Sequence, residues 1–209
     1  MSGKNWFEVD RTGLRALVAG RDSDFIIYEL LQNAFDEPGV TAVSVDVALR
    51  DGHVTVCVED NSPEGFADLR HAFTLFASTR KRTNAQQRGR FNLGEKLVLS
   101  LAKRAEISTT KGTIIFDEKG RRSTSTRRAR GSRVELVFLP RVVSSETLLA
   151  ATERVLVPNT IRLTVNAREL ETRVGAYDFY ATLPTVIESD GALRRTERKA
   201  HVRLYNPLP

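Results

Sequence analysis

The sequence predicts an α+β fold: a two-layer sandwich of mixed, largely antiparallel sheet with helices on one face. Three observations predict it. An apolar-periodic segment near the start reads as a helix, with Phe25, Ile26, Leu30 and Ala34 at helical spacing. A hairpin signal follows, since the runs on both sides of Asp51-Gly52 alternate apolar and polar residues. After a further helix, strand-like runs succeed one another with short connections, the order expected of an antiparallel sheet with helices gathered on one side.

Taken in order, the first helix runs from about Asp22 to Phe35, with Ser23 or Asp24 as its cap and Pro38-Gly39 as its stop. Val43–Leu49 and His53–Val58 form the hairpin, which delivers Glu59, Asp60 and Asn61 to the end of its second strand. Residues 66–76 read as a short helix, and 77–90 as a long polar loop. Leu93–Arg104 returns to helix, with Leu97, Val98 and Leu101 on one face. Strands are expected at 105–110, 113–117 and 133–138, the last two bracketing an arginine-rich connection from Arg121 to Gly131. A helix over 144–155 precedes a second hairpin that turns at Asn166-Ala167. The character changes after about Tyr177, and 182–206 reads as a hairpin turning at Asp190-Gly191. The expected division is therefore a main domain over 1–176, with 177–209 beginning a following domain or a C-terminal extension.

Composition narrows the function classes. The 209 residues carry 41% hydrophobic and 28% charged side chains, ordinary values for a globular domain. No apolar run reaches the roughly 18 residues needed to span a bilayer, and the N-terminus lacks a signal-peptide core. A cytoplasmic protein with no membrane partner is the expectation. One cysteine, Cys57, excludes an internal disulfide and a cysteine-based zinc site. The net charge is +6, with 25 Arg against 7 Lys. That balance suits acidic partners, nucleotide phosphates and nucleic acid among them, and equally a solvated basic surface.

Chemistry concentrates in three places. Glu29, Asn33 and Asp36 fall at i, i+4 and i+7 and so share one face of the first helix. Alone, such a stripe is more often a solvent-facing surface. The amide oxygen of Asn33 nevertheless suits Mg²⁺, which keeps most of its waters. Glu29, one turn away, is placed to act as a general base. Second, Gly89-Arg-Phe-Asn-Leu-Gly94 stands where the long loop meets a helix, and there glycines and free N–H groups can cradle phosphate. Lys96 would add a point charge in the first turn. No Gly-Lys-Ser/Thr ending is present, so this is not a P-loop. Third, Asp60 at its strand end can accept a hydrogen bond from an exocyclic amine, or simply make an Asx turn with Asn61, Ser62 and Pro63.

The ordered set resembles the GHKL ATPases: gyrase, topoisomerase VI, MutL-type repair proteins, MORC proteins and the ninety-kilodalton heat-shock chaperones. It comprises Glu-x-x-x-Asn-x-x-Asp, a strand ending in Asp-Asn, a Ser/Thr-Lys loop, Gly-x-x-x-x-Gly opening a helix, and Gly-Ser before a strand, over about residues 20–170. The resemblance implies the Bergerat ATP-binding fold, with ATP and Mg²⁺ as cofactors. Glu29 would be the general base, Asn33 the Mg²⁺ ligand, and Asp36 the last acidic residue of that box. Asp60 would read the adenine amino group, with Gly65 in the glycine box behind it. Ser78, Thr79 and Lys81 would approach the phosphates from the lid. Gly89, Asn92, Leu93 and Gly94 would form the second glycine box, with Lys96 beyond it, and Ser132 would help to hold the adenine. Two departures stand out. The first glycine box reads Asp60-Asn-Ser-Pro-Glu-Gly65, one residue longer than the family's, and Asn92 replaces the middle glycine of the second.

What the resemblance implies is an ATP hydrolase whose slow turnover drives a conformational or dimerisation switch, plausibly in a DNA-related process. A homodimer formed on nucleotide binding is the expected assembly. Nucleic acid is a further expected partner, through Arg121, Arg122, Arg127, Arg128, Arg130 and Arg133. The alternative is a nucleotide- or nucleic-acid-binding module of the same fold without turnover.

Overall fold

The computed structural model describes residues 9–66, 68–75, 93–189 and 191–206. Ser78, Thr79, Lys81, Gly89 and Asn92, and with them the lid and most of the second glycine box, lie outside the described residues. The elements run α1 (Arg11–Ala16), α2 (Asp24–Phe35), β1 (Ala42–Arg50), β2 (His53–Asp60), a 3₁₀ turn (Leu69–Ala72), α3 (Gly94–Leu101), β3 (Arg104–Thr109), β4 (Gly112–Asp117), β5 (Gly120–Thr124), β6 (Arg133–Phe138), α4 (Ser145–Glu153), β7 (Arg162–Val165), β8 (Arg168–Glu169), β9 (Tyr177–Ser189) and β10 (Ala192–Leu204).

Strands β1 to β8 make one sheet in the order β5-β4-β3-β6-β2-β1-β7-β8. All neighbours are antiparallel except β1 and β7, which run parallel. The expected α+β sandwich is the observed one. Strand alternation sorts the two faces. Val43, Val45 and Val47 of β1, Val54, Val56 and Val58 of β2, and Leu136 and Phe138 of β6 point inward. They pack on Ile26, Ile27, Leu30 and Leu31 of α2, Val98 of α3 and Leu148 of α4. The outward residues are polar and tie themselves together. Arg133 bridges Glu59 at 3.2 Å and Glu135 at 2.5 Å, while Arg104 reaches Glu106 at 2.5 Å and Glu135 at 3.6 Å. Those guanidiniums offset the like-charge pair Glu106 and Glu135, which face each other directly across β3 and β6.

The core hairpin turns as its sequence demands: Asp51 and Gly52 both adopt positive φ, 48° and 70°, as a tight two-residue turn requires. The turn between β7 and β8 does the same at Asn166 and Ala167, where the Asn166 amide clasps the Val47 backbone at 2.8 Å and 3.1 Å.

The structure differs from the sequence reading at four elements. The helix expected over 66–76 contracts to the 3₁₀ turn, because Asp68 caps Arg70 N–H at 2.9 Å and also holds the Arg70 guanidinium. α1 was not foreseen. Its Asp10 cap accepts from Thr12 and Gly13, and Arg11 anchors it to the Ser100 and Ala102 carbonyls at the end of α3. The arginine-rich connection begins as β5, an edge strand paired with β4 and exposed at every residue. The last hairpin begins at Tyr177 rather than 182, and among the described residues β9 and β10 pair only with each other in a sheet of their own.

Candidate functional site

One cleft gathers residues from four elements. Asn33 comes from the middle of α2, Asp60 from the end of β2, Glu95 from the first turn of α3, and Ser132 from the residue before β6. Leu30, Val58 and Val134 form its apolar floor, and Phe66 closes one side. The room left is about 20 Å³, enough for about one water. A nucleobase enters this cleft only when its wall moves.

The polar end of the cleft is held by hydrogen bonds across two distant loops. Asp60 is 7% exposed, and its Oδ1 accepts from Ser62 N–H at 2.9 Å and the Ser62 hydroxyl at 2.5 Å. Among the described residues its Oδ2 accepts only from Ser132 N–H, at 3.0 Å, which leaves one lone pair of that oxygen. The Ser132 Oγ accepts from Phe66 N–H at 2.9 Å, which leaves its proton free to donate. Asp60 N–H in turn donates to the Ser132 carbonyl at 3.0 Å, and Gly131 N–H to the Ser62 carbonyl at 2.8 Å. Two glycines allow this approach. A methyl on Gly131 would lie 1.9 Å from the Asp60 carbonyl oxygen, and one on Gly65 would lie 2.6 Å from that of Gly131. Both also have positive φ, 66° and 63°.

Glu29 does not line the cleft itself; it reaches from α2 to the first residue of α3, next to Glu95. A methyl on Gly94 would sit 1.9 Å from Glu29 Oε2, so any larger residue there would displace that carboxylate from its present position. Burial pushes the Glu29 carboxyl above its usual range. Arg21 pulls it down and Glu95 pushes it further up. A half-buried carboxylate with a raised pKa, close to a helix N-terminus, has the properties of a proton acceptor.

Three further positions singled out from the sequence lie away from the cleft. Lys96, 6% exposed, does not line the cleft. Its ammonium donates to the His71 carbonyl, pairs with Glu95 at 3.0 Å, and lines a separate cavity of about 480 Å³ under the 3₁₀ turn. Asp36 caps the C-terminus of α2 through its backbone and does not line the cleft. Leu93 stands at the N-cap of α3 without a side-chain cap bond. Conversely, Phe66 and Glu95 border the cleft, and Ser62 supports Asp60 from behind it, and no sequence motif marks these three as site residues. Ser62 was visible only as a departure from the glycine box, and Glu95 only as the neighbour of Gly94. Among the described residues, no three His, Cys, Asp or Glu side chains converge as a metal cluster. No described helix is long and apolar enough to cross a membrane.

With this geometry in view, comparison with known proteins is specific. The family model described as histidine kinase-, DNA gyrase B-, and HSP90-like ATPase matches residues 22–142. The chain belongs to this family. No curated protein sequence matches. Among solved structures, the ATPase region of Saccharomyces cerevisiae topoisomerase II bound to ICRF-187 (dexrazoxane) aligns at TM-score 0.53 and 14% identity, over 72% of this chain and 49% of that one. A second structure of the same ATPase region gives TM-score 0.52 and 15% identity, over 71% and 48%. The ATPase and transducer domains of DNA topoisomerase II from Balamuthia mandrillaris give 0.50 and 14%, over 71% and 48%. At these identities the likeness concerns the fold, and the chain spans about half the length of the solved chains it matches.

Proposed function

We propose that this member of the histidine kinase-, gyrase- and HSP90-like ATPase family binds ATP with Mg²⁺ and hydrolyses it slowly, turnover driving a conformational or dimerisation switch. Family membership supports an ATP-binding module. The observation that carries the reading further is the pair formed by Asp60 Oδ2 and the Ser132 hydroxyl. An acceptor beside a donor matches the amino group and ring N1 of adenine. Guanine presents the reverse order, an oxygen acceptor beside an N–H.

In this reading the apolar floor takes the base, and Asp60 and Ser132 orient it once Phe66 and the Gly65 loop swing outward. Asn33, facing the same cleft, supplies one amide oxygen to the cation. The cation, when bound, neutralises phosphate charge and orients the terminal group. Glu29 takes the proton from the attacking water, and its raised pKa suits that task. The N-terminus of α3 at Gly94 offers N–H groups to phosphate oxygens. Residues 1–176 form the nucleotide domain, and 177–209, whose strands among the described residues pair only with each other, an extension or the start of another domain. A homodimer on nucleotide binding and a DNA-related role complete the proposal.

A second reading, a binding module without turnover, is favoured by one observation. The Ser62 hydroxyl, in the altered glycine box, occupies Asp60 Oδ1, and the cleft beside it holds only about 20 Å³. Calorimetry with a non-hydrolysable ATP analogue tests the common core of both readings. Asp60→Asn should weaken binding by about 1–3 kcal/mol, the scale of an unmet buried hydrogen bond, and a GTP analogue should bind wild type poorly. Equal affinity of wild type and variant would remove the adenine assignment.

A further inference from the structure

The sheet face opposite the helices carries a second depression, with a volume of about 320 Å³, where β7 and β1 begin and β2 ends. Its origin is legible in the register. Arg162 lies beside Ala42, and Thr164 beside Ser44, which faces Glu59 on β2. Neighbours across a sheet stand about 5 Å apart on the same face. The short side chains of Ala42, Ser44 and Thr164 therefore leave a floor, and the long ones around them become walls. The connection from β5 to β6 adds two more arginines. Arg128 is fixed by its N–H to the Thr109 carbonyl and by a 2.7 Å ion pair with Glu59. Arg130 reaches the Asn61 carbonyl at 2.6 Å.

Charge on this face is sorted into rows. The row through Asp46, Cys57, Glu135 and Glu106 is acidic. The rim at the strand ends holds Arg128, Arg130 and Arg162 against one carboxylate, Glu59, which already receives both Arg128 and Arg133. Asp60 borders the depression too, but its carboxylate is committed on the cleft side to Ser62 and Ser132. Among the described residues, the Arg162 guanidinium makes no hydrogen bond or ion pair. Of the other arginines of the stretch, Arg121 lies over the Phe73 ring, Arg122 pairs with Asp117 at 2.6 Å, and Arg133 is held by Glu59 and Glu135.

We propose that Arg128, Arg130 and Arg162, standing over the floor of Ala42, Ser44 and Thr164, form a phosphate-binding site separate from the nucleotide cleft. It takes a phosphate group, either of a nucleic-acid backbone or free. Arginine is suited to this by its planar fork of donors, and the Ser44 and Thr164 hydroxyls can complete the set. The site shares Asp60 with the nucleotide cleft as a common wall. The proposal does not depend on ATP turnover.

The test uses the full chain without ATP. A short labelled single-stranded oligonucleotide is titrated by fluorescence anisotropy across a salt series, and inorganic phosphate is titrated by calorimetry. The variants are Arg130→Ser with Arg162→Ser, and as a charge-matched control Arg195→Ser with Arg203→Ser on β10; unchanged melting temperatures verify folding. Loss of Arg130 and Arg162 should weaken oligonucleotide binding about tenfold or more. It should also reduce the slope of log K against log salt by about 1.4, two phosphates at about 0.7 each. Oligonucleotide binding that depends on these arginines identifies a nucleic-acid backbone as ligand; phosphate binding alone that depends on them identifies free phosphate. Wild type that binds neither, a double variant that binds like wild type, or a control that loses as much, overturns the site.

Discussion

The two ends of the candidate site are built on different physical terms. The end proposed to take the base, Asp60 with Ser62, Gly65, Gly131 and Ser132, is almost all backbone and short side chains. Its hydrogen bonds are mutual and buried, and its two glycines bring main chains closer than any Cβ would permit. The end proposed to face phosphate rests on long side chains, Glu29 across Gly94 and Glu95 beside Lys96, with a carboxyl kept above its usual pKa by burial. The difference teaches where stability and chemistry reside. The base end is a structural joint that also offers an acceptor and a donor. The phosphate end keeps a poorly solvated charge, which weakens the fold locally and prepares a proton acceptor.

The largest effect should come from the phosphate end and should leave stability intact. Glu29→Gln keeps shape and hydrogen bonding but cannot take a proton, so phosphate release should fall by about 10²–10⁴. Analogue binding should hardly change, because the base matters to the transition state. Equal turnover in variant and wild type would remove Glu29 from that role. Its effect on melting should run the other way. A carboxyl whose folded pKa is raised contributes most stability below its unfolded pKa, and loses it as pH rises through the folded value. At neutral pH the glutamine protein should therefore melt no lower than wild type, and a clearly lower melting point would break the comparison.

The base end should respond in the opposite sense. Gly131→Ala puts a methyl against the Asp60 carbonyl and forces a positive φ on alanine, which should cost about 2–5 kcal/mol of folding stability. Chemical denaturation measures it, and a variant as stable as wild type would mean that the joint is looser than drawn. Next in size, Asn33→Ala should remove the Mg²⁺ response of analogue binding. The loss should be about 1.5–3 kcal/mol, the scale of a polar contact to a charged group. An unchanged Mg²⁺ response would exclude Asn33 as the ligand. The smallest effect is in pH. Turnover should decline as pH falls through the raised Glu29 pKa, with its acid limb above the ordinary glutamate value of about 4.3. An acid limb at or below that value would detach Glu29 from the rate.

How much of this was legible in the sequence depended on how local each signal was. α2 announced itself through Phe25, Ile26, Leu30 and Ala34, and the core hairpin through Asp51-Gly52, because helical period and turn chemistry act over a few residues. The Glu29 and Asn33 stripe followed from helical geometry. α1 stayed hidden because none of its residues is buried and its anchor is the end of α3, some 85 to 91 residues away. β5 carries no apolar alternation to mark it, because an exposed edge strand needs only the backbone of its neighbour. Lys96 looked like a phosphate ligand by position, yet its ammonium went to the His71 carbonyl and Glu95.

The sequence by itself therefore determined the fold class, the helix that carries Glu29 and Asn33, the hairpin that ends in Asp60, and the resemblance to an ATPase family. Each of these rests on periodicity, turn residues or an ordered motif, which the chain carries locally. Only the tertiary structure decided which partner each polar group found. It set Ser132 against Asp60 across 72 residues, turned Lys96 away from the cleft, and divided the arginine stretch between Phe73, Asp117, Glu59 and the rim shared with Arg162. The physical reason is that long polar side chains reach several neighbours of similar attraction, and only the packed sheet and helices fix which of them is within reach.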